Sequence, residues 1–281
     1  MKQFIIRALT GITYAALLVG CTIYGPVTAF FFFAVVAAAC VWEFCGLMNT
    51  HRGATLVPSL HALGAVLLSA SLWLTCIHDK SAGRTIALYG LLLIYLLVSE
   101  LYRRAENPLR NWALGMFSQV YVALPFSLLP LMCVQYNPET SSLAYTWIYP
   151  LALFIFLWAN DTGAYLFGVT LQRYIPLKLF PRISPKKSWV GSVGGGLLTL
   201  GLAVAIWKLS PGTLSLWHWL GFALVVVFFG TWGDLIESLL KRYLGIKDSG
   251  HILPGHGGLL DRFDSALLAI PAVVIFFLLC R

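Results

Sequence analysis

The chain has 281 residues, of which 59% are hydrophobic and only 11% charged, with a mean hydropathy of +0.82. Those proportions exclude an ordinary soluble domain and indicate a polytopic membrane protein. The net charge of +8 implies no nucleic-acid partner, and none is expected, because lysine and arginine retained in cytoplasmic loops beside anionic headgroups produce such an excess.

A helix crosses the hydrocarbon layer with about 17 to 25 apolar residues, and nine such segments can be placed in chain order. They are 8–24, 26–48, 55–77, 85–102, 112–134, 144–168, 189–207, 216–240 and 265–280. The first follows Lys2 and Arg7 as a signal sequence would, yet no small-x-small cleavage site precedes the next apolar segment, so it is read as the first span. Cys21, Cys40, Cys45, Cys76, Cys133 and Cys280 all fall in or beside apolar segments with no CxxC pair. They read as packing thiols rather than disulfides or zinc ligands. The expected fold is all-α, with residues 1–140 a transmembrane scaffold and 141–281 the region that carries the chemistry.

Lysine and arginine alternate between loops in the way that sets orientation. With the N-terminus inside, fifteen fall on the inner side, against Lys80, Arg84, Lys208 and Arg281 outside. Nine of the fifteen lie in the last two inner loops: Arg173, Lys178, Arg182, Lys186, Lys187, Lys241, Arg242, Lys247 and Arg262. An anionic substrate would therefore be drawn to the C-terminal half.

The carboxylates gather there too, as Asp161, Asp234, Glu237, Asp248, Asp261 and Asp264. A carboxylate inside a bilayer segment costs about 2.5 to 3.5 kcal/mol and needs a partner or a cation. Asp234, Glu237, Ser238 and Lys241 are spaced i, i+3, i+4 and i+7, one polar stripe on a helix, and Asp261 and Asp264 share a face. Two readings stand: Asp234 pairs with Lys241 or Arg262 merely to neutralise charge, or the clustered oxygens hold magnesium.

Between these carboxylates lies Pro254-Gly255-His256-Gly257-Gly258. Glycines let successive backbone amides close on an oxyanion, although a tight turn feeding the last helix would look the same. A second basic cluster, Ser184, Lys186, Lys187 and Ser188, precedes the seventh span, whose positive N-terminal end would also favour anions. Gly191, Gly194, Gly195 and Gly196 suit close helix packing better than ligand binding.

The stretch Ser238–Asp264 resembles the signature of the phosphatidate cytidylyltransferases, also called CDP-diacylglycerol synthases. The matching positions are Ser238, Lys241-Arg242, Lys247-Asp248, His256-Gly257-Gly258, Asp261-Arg262 and Asp264. Asn160-Asp161-Thr162-Gly163-Ala164-Tyr165 and Ser184-Pro185-Lys186-Lys187 resemble two upstream segments of the same family, so the similarity covers roughly residues 155 to 265. The resemblance implies transfer of a cytidylyl group from CTP to phosphatidic acid. It further implies magnesium on Asp234 and Asp261, room for a second cation, and phosphate binding by Lys241, Arg242, Lys247 and Arg262. Asp248, His256 and Asp264 would organise the loop or handle protons, Asp161 and Ser238 would line the site, and the enzyme would be a homodimer. The expected location is a bacterial cytoplasmic (inner) membrane, with the site facing the cytoplasm.

Two positions depart from the family pattern: Val169, where a basic residue is common, and Val190, where an acidic or amide residue is common. They put one upstream phosphate contact in doubt, for which Arg173 is the nearest substitute. The competing functions are an ion-coupled transporter, since buried carboxylates also mark ion pathways, and a CTP-dependent lipid kinase. The transporter lacks support from any internal repeat, and the kinase would differ in its product.

Overall fold

The computed structural model describes residues 2–137, 139–140, 142–250, 252 and 257–280, with side chains from residue 9 onward. Its helices are α1 (Lys2–Tyr24), α2 (Pro26–Arg52), α3 (Pro58–Cys76), α4 (Ala82–Arg103), α5 (Pro108–Cys133), α6 (Ile148–Leu171), α7 (Trp189–Leu209), α8 (Leu216–Leu244) and α9 (Leu260–Cys280). Each corresponds to one apolar segment read from the sequence. Among the described residues eight are long and apolar enough to span a bilayer, and α1 adds the shorter apolar stretch Leu9–Tyr24. The protein is an all-α integral membrane protein.

Local chemistry sets the helix ends. Pro26, Pro58 and Pro108 occupy the first turns of α2, α3 and α5, where the missing N–H has no intrahelical partner to lose. Asn107 caps α5 by accepting from the Arg110 amide at 3.0 Å. Gly53 (φ 59°) ends α2, and Gly245 (φ 72°) ends α8 with its amide on the Arg242 carbonyl, left-handed conformations that cost glycine little. Within α5 the turn Ser118–Ala123 widens to π geometry, and the Leu124 amide reaches back five residues to Gln119. Pro125 follows, unable to donate a helical hydrogen bond.

Two antiparallel hairpins were not expected from the sequence. In the first, β1 (Val134–Asn137) pairs with β2 (Ser142–Tyr145); in the second, β3 (Lys178–Phe180) pairs with β4 (Ser184–Ser188). The first hairpin delays α6, placed from residue 144 by hydropathy, until Ile148. Tyr145 donates its hydroxyl to the Thr22 carbonyl at 2.8 Å, which fixes the strand against α1.

The chain forms two compact units that do not follow chain order. The first comprises Met1–Ile148 and Ile246–Phe263, the second Tyr149–Gly245 and Asp264–Arg281. The first has a core of Cys40, Phe44, Cys45 and Met48 from α2 with Phe126, Met132 and Phe263. Phe263 receives Phe126 and Tyr14 edge-on, with centroids at 5.1 and 5.4 Å. Glu100, buried in the same unit, is satisfied by Arg103 and by the Asn111 amide, both at 2.8 Å. The core of the second unit is aromatic: Phe156 packs on Phe222 at 5.3 Å and Trp219 stacks on Phe222 at 5.8 Å. All six cysteines are free, and Cys40, Cys45 and Cys133 are buried, as packing thiols should be.

Glycines bring α6 and α7 together. A Cβ at Gly191 would stand 2.6 Å from the Ala164 carbonyl, one at Gly163 would stand 2.7 Å from the Gly195 Cα, and one at Gly195 would strike the Asn160 carbonyl. The glycine-rich stretch is therefore a packing seam at Gly191, Gly194 and Gly195, whereas at Gly196 the nearest neighbour is an ordinary 3.4 Å contact. Gly201, on the same helix, has open space around its Cα. Gly195→Ala should therefore destabilise the detergent-solubilised protein by about 1–3 kcal/mol through overpacking. Gly201→Ala should be neutral or stabilising by up to about 1 kcal/mol through helix propensity. Thermal unfolding of the two variants beside the parent checks both signs.

Candidate active site

A cavity of about 260 Å³ opens in the second unit, near the lower end of the roughly 300–1,000 Å³ common for small-molecule sites. Four elements line it. Helix α6 contributes Asn160, Asp161 and Tyr165, strand β4 contributes Lys186, Lys187 and Ser188, the first turn of α7 contributes Gly191 and Ser192, and α8 contributes Thr231 and Asp234. Ser188 caps α7, its Oγ accepting from the Gly191 amide at 3.2 Å. The uncompensated amides at that helix end thus sit beside two lysines, an arrangement that favours an anion.

At its centre Lys187 Nζ meets Asp234 Oδ2 at 2.7 Å and donates to the Thr231 carbonyl at 3.4 Å. Ser238 Oγ donates to the other oxygen, Asp234 Oδ1, at 3.2 Å. Asn160 Nδ2 donates to Thr231 Oγ1 at 3.3 Å, while its buried Oδ1 has no hydrogen-bond partner among the described residues. Asp161 and Asp264 both lie within Coulombic range of Asp234. Gly233 makes the last approach possible, since a Cβ there would stand 2.7 Å from the Asp264 carbonyl.

The polar stripe on α8 divides into two pairs with different burial. Glu237 is fully buried and is held by Lys241 at 2.6 Å, one helical turn away. The side chains of Lys187 and Asp234 keep 23% and 29% of their exposure and line the cavity, so Lys187 can exchange Asp234 for another anion there at less cost than a fully buried pair would impose. The expected neutralising partners of Asp234 were Lys241 or Arg262. The partner observed is Lys187, brought in by the unexpected strand β4.

Of the other residues singled out in the sequence, Ser184 is on β4 outside the cavity lining, and Arg242 is exposed in the last turn of α8. Lys247, Asp248 and Arg262 are exposed and belong to the first unit. His256 lies outside the described residues. Arg173, the suggested substitute at the Val169 position, stacks over the Tyr174 ring at 4.5 Å.

Asp261 organises the glycine-rich loop. Its Oδ2 accepts from the Ser249 amide at 2.8 Å and the Gly258 amide at 2.9 Å, and the Ser249 hydroxyl oxygen stands 2.9 Å away. Gly257 adopts φ 82°, and a Cβ there would stand 2.9 Å from the same oxygen. Sequence reasoning missed Glu43 of α2, which is 7% exposed and accepts from the Leu259 amide at 2.8 Å and from the Ser249 hydroxyl. The available signal was a lone carboxylate within an apolar span, which the cost of buried charge flags. Thr231 and Ser249 gave no signal of their own.

The donor set around Asp234 fits magnesium in chemistry, because carboxylates of Asp161, Asp234 and Asp264 are hard oxygen ligands. Among the described residues no three His, Cys, Asp or Glu side chains already stand in a ligating group.

A sequence model described as the cytidylyltransferase family matches residues 5–280. The phosphatidate cytidylyltransferase of Staphylococcus aureus is 31% identical over 277 residues, covering 97% of this chain and 98% of its own length. The proteins of that name from Staphylococcus saprophyticus and Staphylococcus epidermidis are 33% and 34% identical over 235 and 217 residues. These cover 82% and 75% of this chain, and 83% and 78% of theirs.

The geometry ranks two substitutions on one carboxylate. Asp234→Asn removes the charge that holds Lys187 and should lower kcat/KM about 100- to 1,000-fold. Ser238→Ala removes one hydrogen bond to that charge and should cost roughly tenfold. Steady-state kinetics on protein of unchanged melting temperature check the order.

Proposed function

Because the chain belongs to the cytidylyltransferase family, we propose that it transfers the cytidylyl group of CTP to phosphatidic acid, forming CDP-diacylglycerol and pyrophosphate for phospholipid synthesis. The observation that carries this reading is the cavity that sets Lys186, Lys187 and the start of α7 against Asp161 and Asp234. Such a site suits a triphosphate, with cationic groups for the phosphates and carboxylates beside them.

In the reaction a phosphate oxygen of phosphatidic acid bonds to the α-phosphorus of CTP while the bond from that phosphorus to the bridging oxygen of the β-phosphate breaks. Pyrophosphate departs with the electron pair. The attacking phosphate, as a dianion, has no proton to lose and is itself the nucleophile, so none is required of the protein. The chain's contribution is positioning and charge neutralisation of two polyanions. Lys187, already poised on a partly exposed pair, would move from Asp234 to phosphate, and Lys186 beside it on β4 would add a second cation. The amides of the first turn of α7, held by the Ser188 cap, would receive phosphate oxygens. Magnesium held by Asp234, with Asp161 and Asp264 in support, would neutralise charge on the triphosphate and on the leaving pyrophosphate.

Phosphatidic acid stays in the membrane and CTP in water, so the site must meet both. We read its open side as cytoplasmic and the N-terminus as inside, on the strength of the fifteen-to-four bias of basic residues, and the membrane as the bacterial cytoplasmic membrane. A homodimer is the assembly the family resemblance suggests.

The test is incubation of the purified protein in detergent with phosphatidic acid, Mg²⁺ and CTP labelled at the α- or the γ-phosphate. Transfer of the α-label into lipid, with the γ-label released in pyrophosphate, is the expected result. Movement of the γ-label into lipid, leaving CDP, would identify a kinase instead, and no transfer by folded protein would overturn the enzymatic reading.

A further inference from the structure

We propose that Glu43 is a positioning residue for this reaction, closing the neck of the glycine-rich loop between α8 and α9. The proposal rests on the transferase reading for its catalytic consequence and on hydrogen bonds within the first unit for its geometry. Glu43 lies in the middle of the apolar helix α2 and is 7% exposed. Its Oε2 accepts from the Leu259 amide at 2.8 Å, and its Oε1 accepts from the Ser249 hydroxyl. Asp261 accepts from the Ser249 amide at 2.8 Å and the Gly258 amide at 2.9 Å, with the Ser249 hydroxyl oxygen also 2.9 Å from it. Residues 249 and 258–259 are the two ends of one loop, and the same two carboxylates tie both ends.

The neck has no slack. A Cβ at Gly258 would overlap Glu43 Oε1 and Ser249 Oγ, and one at Gly250 would stand 3.0 Å from Glu43 Cδ. Ser249, the hydroxyl common to both carboxylates, is 3% exposed. A carboxylate is costly at this depth of an apolar helix, and backbone and hydroxyl donors from a distant segment offset that cost. Tying residue 249 to residues 258–259 fixes the ends of the loop, at an entropic cost that rises only slowly with the length between them. It thereby fixes the backbone that carries Asp248 at one end and leads into Asp261 and Arg262 at the other. Glu43 acts on the reaction through that backbone, which continues as α9 from Leu260 into Asp264, the carboxylate within Coulombic range of Asp234.

The test uses the full-length protein in detergent and compares Glu43→Ala, Glu43→Gln, Ser249→Ala and the Glu43→Ala/Ser249→Ala double variant, by hydrogen exchange and by initial rates. In Glu43→Ala, exchange across residues 246–260 should accelerate about tenfold, the worth of one hydrogen bond to a charged group, with the rest of the chain unchanged. Its kcat should fall by roughly 100-fold, as expected for displaced reacting groups, with the KM for CTP little altered. Glu43→Gln keeps an acceptor for Leu259 and a polar partner for Ser249, so it should recover most of both. The double variant should be no worse than Glu43→Ala, because the two side chains act as one unit.

Unchanged exchange in that segment would overturn the proposal. So would faster exchange with a parental kcat in the folded fraction, or losses that simply add. Should Glu43→Ala not fold, Ser249→Ala against Glu43→Gln makes the same comparison. If the parent protein forms no CDP-lipid, the transferase reading has failed, and the exchange data alone decide whether Glu43 closes the neck.

Discussion

A charge inside a hydrocarbon-lined helix cannot be left alone, because no water is there to solvate it, and the arrangement of this protein's carboxylates follows from that constraint. Glu237, fully buried, is locked to Lys241 one turn along the same helix. Glu100 is closed by Arg103 and Asn111, and Glu43 by a serine hydroxyl and a backbone amide. Asp234 is solved differently, by a lysine from another element in a pair that still reaches solvent. The fully buried carboxylate of Glu237 cannot give up its lysine without leaving a charge unpaired, whereas Asp234, three residues away on α8 and partly exposed, can release its lysine to a ligand.

The site also depends on how closely helices approach. Gly163, Gly191 and Gly195 remove the side chains that would hold α6 and α7 apart, and Gly233 does the same between α8 and the start of α9 within the second unit. Those approaches bring Asn160 and Asp161 to the end of α7 and Asp264 into range of Asp234. The glycines thus shape the site without touching a ligand, and the cap at Ser188 orients the last contributor, the amides of α7.

Much of this was legible in the chain, for physical reasons that differ by element. The spans were readable because crossing a bilayer needs a long apolar run, a property each segment carries alone, and several of their ends because Pro26, Pro58 and Pro108 mark first turns. Asp161 and Asp234 stood out because charge is conspicuous in hydrocarbon, and Lys186 and Lys187 as a separate basic cluster before a helix start. Partners were harder to read. Helical spacing offered Lys241 to Asp234, yet Lys241 takes the nearer Glu237, and Lys187 arrives on a strand of five residues with too short a pattern to announce itself. Glu43 stood in the sequence as a lone carboxylate in an apolar span, but its partner could not be read: the serine lies 206 residues away, and no local period reports which loop a helix will receive.

The central claim is that the cavity beside Asp234 receives the triphosphate of CTP, and equilibrium binding tests it without depending on turnover. Labelled CTP with Mg²⁺ would be titrated into the purified parent and into a folded Lys186→Gln/Lys187→Gln variant. The claim predicts saturable binding by the parent and a loss of about tenfold or more in the variant, since each charge-assisted phosphate contact is worth roughly 1.5–3 kcal/mol. Equal affinity in the two proteins would contradict it and move the nucleotide site elsewhere.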